Sequence, residues 1–251
     1  MYKILAKTLF LGKQLIYMPT CHSTNDIAIE RLEKPDTHEG CIVITDNQTA
    51  GRGQRGNTWI SAPGLNLTYS IILKPSSILI KDQFIFNMAV SLSIVDVLKE
   101  LLPEAAVKIK WPNDIYINEK KIGGILIENT LEPPLLKTAI VGLGLNVNQK
   151  EFSLKKVTSL ALLANREFKL EVLLEKLVLA LESRYRLLKS RDYALIKESY
   201  FKNLLGYLEE RSYYHEFEFK AMIVGVCDNG KLRLKKGRET MQFDLKEIKF
   251  L

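Results

Sequence analysis

Hydrophobic positions recur along this chain with two periods, and the switches between them outline its elements. Residues 13–18 and 41–46 (Cys-Ile-Val-Ile-Thr-Asp) are short apolar runs of strand type. Between them, Ser23 and Asp26 stand at capping-box spacing, with Asp in place of the usual Glu, which predicts a helix from about Thr24. Residues 47–58 are polar and glycine-rich, a loop, and 66–73 are the next strand. Phe84, Met88, Leu92, Val95, Leu98 and Leu102 fall at helical spacing, which predicts a long amphipathic helix over 81–102.

Strand patterns return at 107–111, 114–118 and 121–128, the last two joined through Asn118-Glu119-Lys120 as a hairpin. A further apolar strand covers 138–148, notched by Gly142 and Gly144. Leu170, Leu173, Leu177, Leu181 and Leu188 mark a helix across 169–190, followed by a shorter one to about Leu205. After Gly206 the pattern alternates: Phe217, Phe219, Ala221 and Ile223, then Leu232 and Leu234, then Phe243 and Leu245. Asp228-Asn229-Gly230 is a hairpin turn. The order of elements predicts an α+β main domain with a mixed sheet over 1–205 and a small all-β, barrel-like unit over 206–251.

Composition narrows the class. In 251 residues, 47% are hydrophobic and 26% charged, the balance of a soluble globular enzyme. No apolar run approaches the roughly 20 residues that span a bilayer. The N-terminal stretch carries Lys3, Lys7 and Lys13 and no cleavage site of signal-peptide type. Cys21, Cys41 and Cys227 are odd in number and far apart, forming neither a disulfide framework nor a metal cluster, so a reducing cytoplasm is expected. The net charge of +7 admits an anionic partner: nucleic acid, a nucleotide or an acidic protein.

Three glycine-bearing segments carry the candidate chemistry. Gly51-Arg52-Gly53-Gln54-Arg55-Gly56 matches G-x-G-x-x-G, but Asn57-Thr58-Trp59 and Pro63-Gly64 follow where a Rossmann turn would open into a helix. Its glycines permit close backbone approach, its arginines suit phosphate or carboxylate oxygens, and Trp59 offers a flat apolar face. A mobile, solvated basic loop has the same composition. In Lys108-Ile109-Lys110-Trp111-Pro112-Asn113-Asp114, a lysine lies beside an amide and a carboxylate, a set suited to a nucleotide and its Mg²⁺; an ordinary strand end with a polar turn reads the same. Lys121-Ile122-Gly123-Gly124-Ile125-Leu126-Ile127-Glu128 and Gly142-Leu143-Gly144-Leu145-Asn146 are strands with glycines that each weaken them by about 1 kcal/mol. Bulges or a closely approaching ligand are the usual reasons, and two such strands with a glycine-rich loop point to one shared cavity.

In this order, Ser23-Thr24-Asn25, Gln48 with residues 51–56 and Trp59, Lys110 to Asp114, Lys121 to Leu126 with Glu128, and Gly142 to Asn146 resemble the biotin protein ligase family. The resemblance covers roughly residues 13–150 by motif. It implies a class II synthetase-like mixed sheet flanked by helices and an SH3-like C-terminal β-barrel. It implies ATP-dependent formation of biotinyl-5′-AMP, then transfer of biotin to a lysine of a carboxylase's biotin carboxyl carrier domain. Ser23, Thr24, Asn25, Gln48, Gly51, Arg52, Lys121, Gly124 and Gly142 would form the biotin site, the last two leaving room for the ring system. Arg52, Gln54, Arg55, Trp59, Lys110, Asn113, Lys121 and Asn146 would bind ATP. Lys121, Arg52, Lys110 and Asp114 would be catalytic, with Mg²⁺ required and no protein ligand assigned to it.

Two features depart from the family pattern. Gln54 stands where the loop often carries a second arginine, which leaves the adenylate one cation fewer. About 20 residues precede Ser23, too few for the DNA-binding winged helix of some relatives, so specific DNA binding is not expected. A lipoate protein ligase shares the chemistry and is the nearest rival. A nucleic-acid-binding module using Lys231-Leu232-Arg233-Leu234-Lys235-Lys236 is the rival from another class, against the plainer reading of a solvated hairpin face. No membrane association is expected, and a homodimer is allowed.

Overall fold

Seven strands form the main sheet. In chain order they are β1 (Leu15–Cys21), β2 (Ile42–Gln48), β3 (Leu67–Leu73), β4 (Val107–Lys110), β5 (Asp114–Ile117), β6 (Lys120–Glu132) and β7 (Leu135–Leu145). Their spatial order is β1-β2-β3-β7-β6-β5-β4. The β1–β2 pair is parallel and the other pairs are antiparallel, so the sheet is mixed. The computed structural model describes residues 2–191 and 193–251, without the side chain of Arg55.

The two faces of the sheet are covered unequally. Helix α1 (Thr24–Leu32) packs Ala28 onto Val43, Ile72 and Ile140. On the other face, α2 (Gln83–Leu101) lies against α4 (Leu170–Lys189) and α5 (Tyr193–Asn203), with a short α3 (Leu160–Ala164) earlier in the chain. Ile42, Ile44, Ile71, Leu73, Val141, Leu143 and Leu145 point to this larger core, alternating with the residues that face α1. That face therefore stays open beyond α1, and the glycine notches lie there.

Most sequence expectations hold to within a few residues, and the differences have physical causes. Asn118 and Glu119 alone make the β5–β6 turn, at φ 48° and 62°, and Lys120 already pairs with Ile117. Strand β6 runs past 128 to Glu132, and β7 begins at Leu135 rather than 138, because Leu136 is buried in the core and its N–H donates to Ile78 O at 3.0 Å, while Thr130 to Glu132 on the facing strand are exposed. Helix α3 was not anticipated; Ser159 Oγ accepts a hydrogen bond from Leu162 N at 3.3 Å, and Asn165 ends it in the left-handed region at φ 50°.

The C-terminal β unit is a five-stranded antiparallel sheet. Its strands are β8 (Glu210–His215), β9 (Phe217–Val226), β10 (Leu232–Lys236), β11 (Glu239–Phe243) and β12 (Lys249–Phe250), ordered β11-β10-β9-β8-β12. Phe219, Ala221 and Ile223 point inward as their alternation predicts, but Phe217 is 60% exposed. The Asp228–Gly230 turn meets the main domain: Gly230 O accepts from Trp111 Nε1 at 2.9 Å, and Asp228 pairs with Lys197 at 2.6 Å.

Candidate active site

Strand register alone assembles the floor of the site. Across the sheet, Lys110 pairs with Asp114, Asp114 with Gly124, Gly124 with Gly144, and Gly144 with Thr68. The next row runs Leu126, Gly142, Ser70. Both rows face α1, since alternate residues of a strand share a face. Glycine at two central positions makes a trough, with cationic and carboxylate side chains at its β4–β5 end.

Each glycine is needed for a different neighbour. A Cβ at Gly144 would lie 2.3 Å from the Trp59 indole, and one at Gly142 would lie 2.2 Å from Asn25 Oδ1. One at Gly124 would stand 3.3 Å from Asp114 Oδ1 and 3.5 Å from Lys121 Nζ. Gly142 lines the cavity, with the Asn25 side chain packed against the position a Cβ would take.

Lys121 Nζ forms an ion pair with Asp114 Oδ1 at 2.7 Å and lies 5.9 Å from the Trp59 ring centroid. Its backbone is fixed by the 156–158 segment: Lys121 N donates to Lys156 O, and Thr158 N donates to Lys121 O, both at 2.9 Å. Lys110 lies nearby in a drier position. Burial pulls its ammonium below the usual lysine value and Asp114 opposes this, while Lys121 and Lys156 push it further down.

The glycine-rich loop is a closed hairpin. Arg52 bridges Thr58, Gly53 N donates to Asn57 O at 2.7 Å, and Trp59 N donates to Gly51 O at 2.9 Å, around a 3₁₀ turn at Gln54–Gly56. Asn57 is extended, so no helix follows the glycines, as expected. Arg52 ties this hairpin down, donating to both Glu128 oxygens at 3.0 and 2.8 Å and to Asp26 at 2.5 Å. Desolvation alone would lower its pKa, but the Glu128 and Asp26 carboxylates raise it.

Helix α1 starts at Thr24, but not through a capping box. The Ser23 side chain makes no cap hydrogen bond. Instead Gln48 Oε1, on the neighbouring strand, accepts from Thr24 N at 2.7 Å and lies 3.2 Å from Thr24 Oγ1. Asp26, expected to complete the box, pairs with Arg52. Asn25 donates to Glu128 Oε2 at 2.7 Å, and its Oδ1 lies 2.6 Å from the Ser70 hydroxyl.

These elements enclose a cavity of about 650 Å³. Its far wall is C-terminal: Leu245, Ile248 and Phe250 line it together with Lys246 and Lys249. Among the described residues, no three His, Cys, Asp or Glu side chains converge as a metal site. No described helix is long and apolar enough to cross a membrane.

The profile of the biotin/lipoate A/B protein ligase family matches residues 17–146, which hold the trough, the loop hairpin and the Lys121–Asp114 pair. The chain belongs to this family. It is similar to the bifunctional ligase/repressor BirA of Bacillus subtilis strain 168, with 35% identity over 237 residues, covering 91% of this chain and 71% of that protein. It is also similar to biotin–protein ligase 2 of Arabidopsis thaliana, with 28% identity over 247 residues, covering 93% of this chain and 73% of that one. Among solved structures, the biotin protein ligase of Aquifex aeolicus in complex with biotin and ATP superposes with a TM-score of 0.77 at 26% identity, covering 94% of this chain and 98% of that chain.

Within this ligase fold, most residues singled out from sequence line the one cavity. Ser23, Thr24, Asn25, Gln48, Arg52, Gln54, Trp59, Lys110, Asn113, Asp114, Lys121, Gly124 and Gly142 do so. Gly51 and Asn146 do not. A Cβ on Gly51 would meet Trp59 O at 2.5 Å, at the point where the two arms of the loop hairpin pair. Asn146 is buried, its amide donating to Thr158 O at 3.1 Å. The Arg55 side chain lies outside the described residues. The basic strand at 232–236 contributes nothing to the lining; Leu232 and Leu234 are buried, and Lys236 rests over Phe217 and Phe219. Sequence reasoning passed over the C-terminal wall and Ser70, whose only signals were a polar residue in an apolar strand and aromatics near the chain end.

Proposed function

We propose that the chain is an ATP-dependent biotin protein ligase that forms biotinyl-5′-AMP and transfers biotin to a lysine of a carboxylase's carrier domain. The single observation that carries this reading is Lys121 Nζ, held beside Asp114 above Gly124 in a trough roofed by Trp59. The biotin carboxylate attacks the α-phosphorus of ATP and pyrophosphate leaves. Two anions must approach, so fixed cations lower the barrier. Lys121 serves the carboxylate and α-phosphate, and Lys110, two strands away on β4, serves the phosphates. The substrate is MgATP, and the ion bound to its phosphates supplies further positive charge.

In the second half-reaction a neutral lysine amine attacks the biotinyl carbonyl, AMP leaves, and the amine loses a proton. Asp114 is the lining carboxylate placed to accept that proton or orient the amine, once Lys121 has turned to the adenylate. The loop hairpin with Trp59 keeps water from the mixed anhydride. Thr24, Asn25 and Gln48 offer the polar groups for the ureido head. The free thiols of Cys21, Cys41 and Cys227 suit a reducing cytoplasm.

The test is labelling of a biotin carboxyl carrier domain by the purified chain with biotin and ATP, with lipoate as competitor. The reading requires biotin- and ATP-dependent labelling that lipoate does not displace. Preferential transfer of lipoate would assign the chain to the other branch of the family.

A further inference from the structure

Two aromatic rings flank the Lys110 ammonium, and they come from different sheets. Lys110 Nζ stands 5.1 Å from the Tyr116 ring centroid on β5 and 5.1 Å from that of Phe250 on β12. Phe250 is itself held in place. It pairs with Tyr213 in register, and the two rings meet edge-on at 5.2 Å. Tyr213 is fully buried, which restrains the Phe250 ring.

A ring face attracts an ammonium ion, more strongly where water is excluded. Lys110 is a residue for which that attraction matters, because burial works against its charge. The groups that face it are Asp114 and Tyr116 on β5, Lys121 on β6, Lys156 in the segment bonded to Lys121, and the Phe250 ring. Asp114 alone among them carries opposite charge. Burial pushes the Tyr116 phenol up to about 12, so that ring stays neutral through the working pH range.

We propose that Phe250 is a positioning residue of the C-terminal sheet that, with Tyr116, clamps the Lys110 ammonium, charged and aimed into the cavity, for the nucleotide's phosphates. The proposal rests on the ligase reading and makes the C-terminal sheet part of the reaction site. Without the ring, Lys110 loses one of the two faces that favour its charged form, gains rotamer freedom, and gives up its proton at lower pH.

The experiment uses the full chain and follows biotin-dependent pyrophosphate release against ATP concentration and pH. Phe250→Leu removes the ring face and keeps apolar bulk. It is expected to raise KM for ATP about fivefold and to move the basic limb of kcat/KM to lower pH by about half a pH unit. Phe250→Tyr is expected to restore both. Tyr116→Leu reaches the same ammonium from the other sheet, removing its ring and the hydroxyl that accepts from Lys110 Nζ at 3.5 Å, and is expected to give a shift at least as large, which covers the case in which Phe250→Leu disturbs the C-terminal fold. If a folded ring-less variant keeps the wild-type KM and basic limb, or if Phe250→Tyr fails to restore them, the proposal is overturned. Absence of biotin-dependent pyrophosphate release in the wild type would instead overturn the ligase reading.

Discussion

Arg52 forks onto Glu128, its two Nη atoms donating at 3.0 and 2.8 Å to the two carboxylate oxygens. The pair joins the tip-bearing hairpin to β6, and Asp26 extends the tie to α1. Both side chains are partly exposed, so after solvent screening the tie is worth about 1 kcal/mol. Glu128→Gln should therefore loosen the hairpin without unfolding the chain. Limited trypsin cleavage after Arg52 or Arg55 should accelerate about fivefold, read by mass spectrometry. Unchanged cleavage would mean that the loop is held by other contacts.

Gly142 backs onto the Asn25 side chain, which is hydrogen-bonded on both sides and cannot swing away freely. Gly142→Ala should displace Asn25 and with it the start of α1. Overpacking of this kind costs about 1–3 kcal/mol. Thermal unfolding should show the loss, and titration should show biotin bound at least about tenfold more weakly.

Glu182 is a structural carboxylate far from the chemistry. It is 5% exposed and accepts from the backbone N–H groups of Leu9, Phe10 and Leu11 at 2.7, 2.8 and 2.9 Å. Desolvation opposes its charge, but these three donors win and hold its pKa below the ordinary 4.5. A folded-state value below the unfolded one stabilises at pH above the unfolded pKa, and this contribution is lost as pH falls through the folded pKa. Glu182→Gln should cost about 1–3 kcal/mol at pH 7, measured by urea unfolding. The gap from wild type should narrow as the pH drops below about 4.5. A gap that stays constant with pH would contradict the assignment.

Gln54 faces the cavity with a buried carbonyl oxygen that has no hydrogen-bond partner among the described residues. Restoring charge there should strengthen the hold on an anionic adenylate. Gln54→Arg should slow biotinyl-5′-AMP escape, followed by filter retention, by roughly threefold or more. An unchanged escape rate would show that position 54 does not reach the phosphate.

The sheet was legible because its strands alternate apolar residues with glycine or polar ones, and because the Asn118–Glu119 turn sets the β5–β6 register. A bulge between Ile115 and Tyr116 then shifts that register by one residue, and only then do Lys110, Asp114, Gly124 and Gly144 fall into one row of the cavity floor. What the sequence hid was partnership across distance. Arg52 lines the cavity as its motif suggested, but nothing in the sequence showed that Asp26 and Glu128 stand beside it. Ser23 and Asp26 read as a capping box, but Gln48 from another strand supplies the cap. Asn146 sits in the glycine motif yet turns its amide inward to Thr158. The alternation in the last forty or so residues announces a sheet, but it carries no sign of which edge faces the trough, so Phe250 was out of reach.

In the proposed reaction Lys121 brings the two anionic reactants together. The most direct measurement is single-turnover formation of biotinyl-5′-AMP from biotin and MgATP, comparing wild type with Lys121→Ala. Lys121 is partly exposed at the cavity wall, so the variant should keep its fold and thermal midpoint. Its rate should be at least about a hundredfold lower, with circular dichroism unchanged. A folded Lys121→Ala protein that forms the adenylate at the wild-type rate would contradict this role of Lys121.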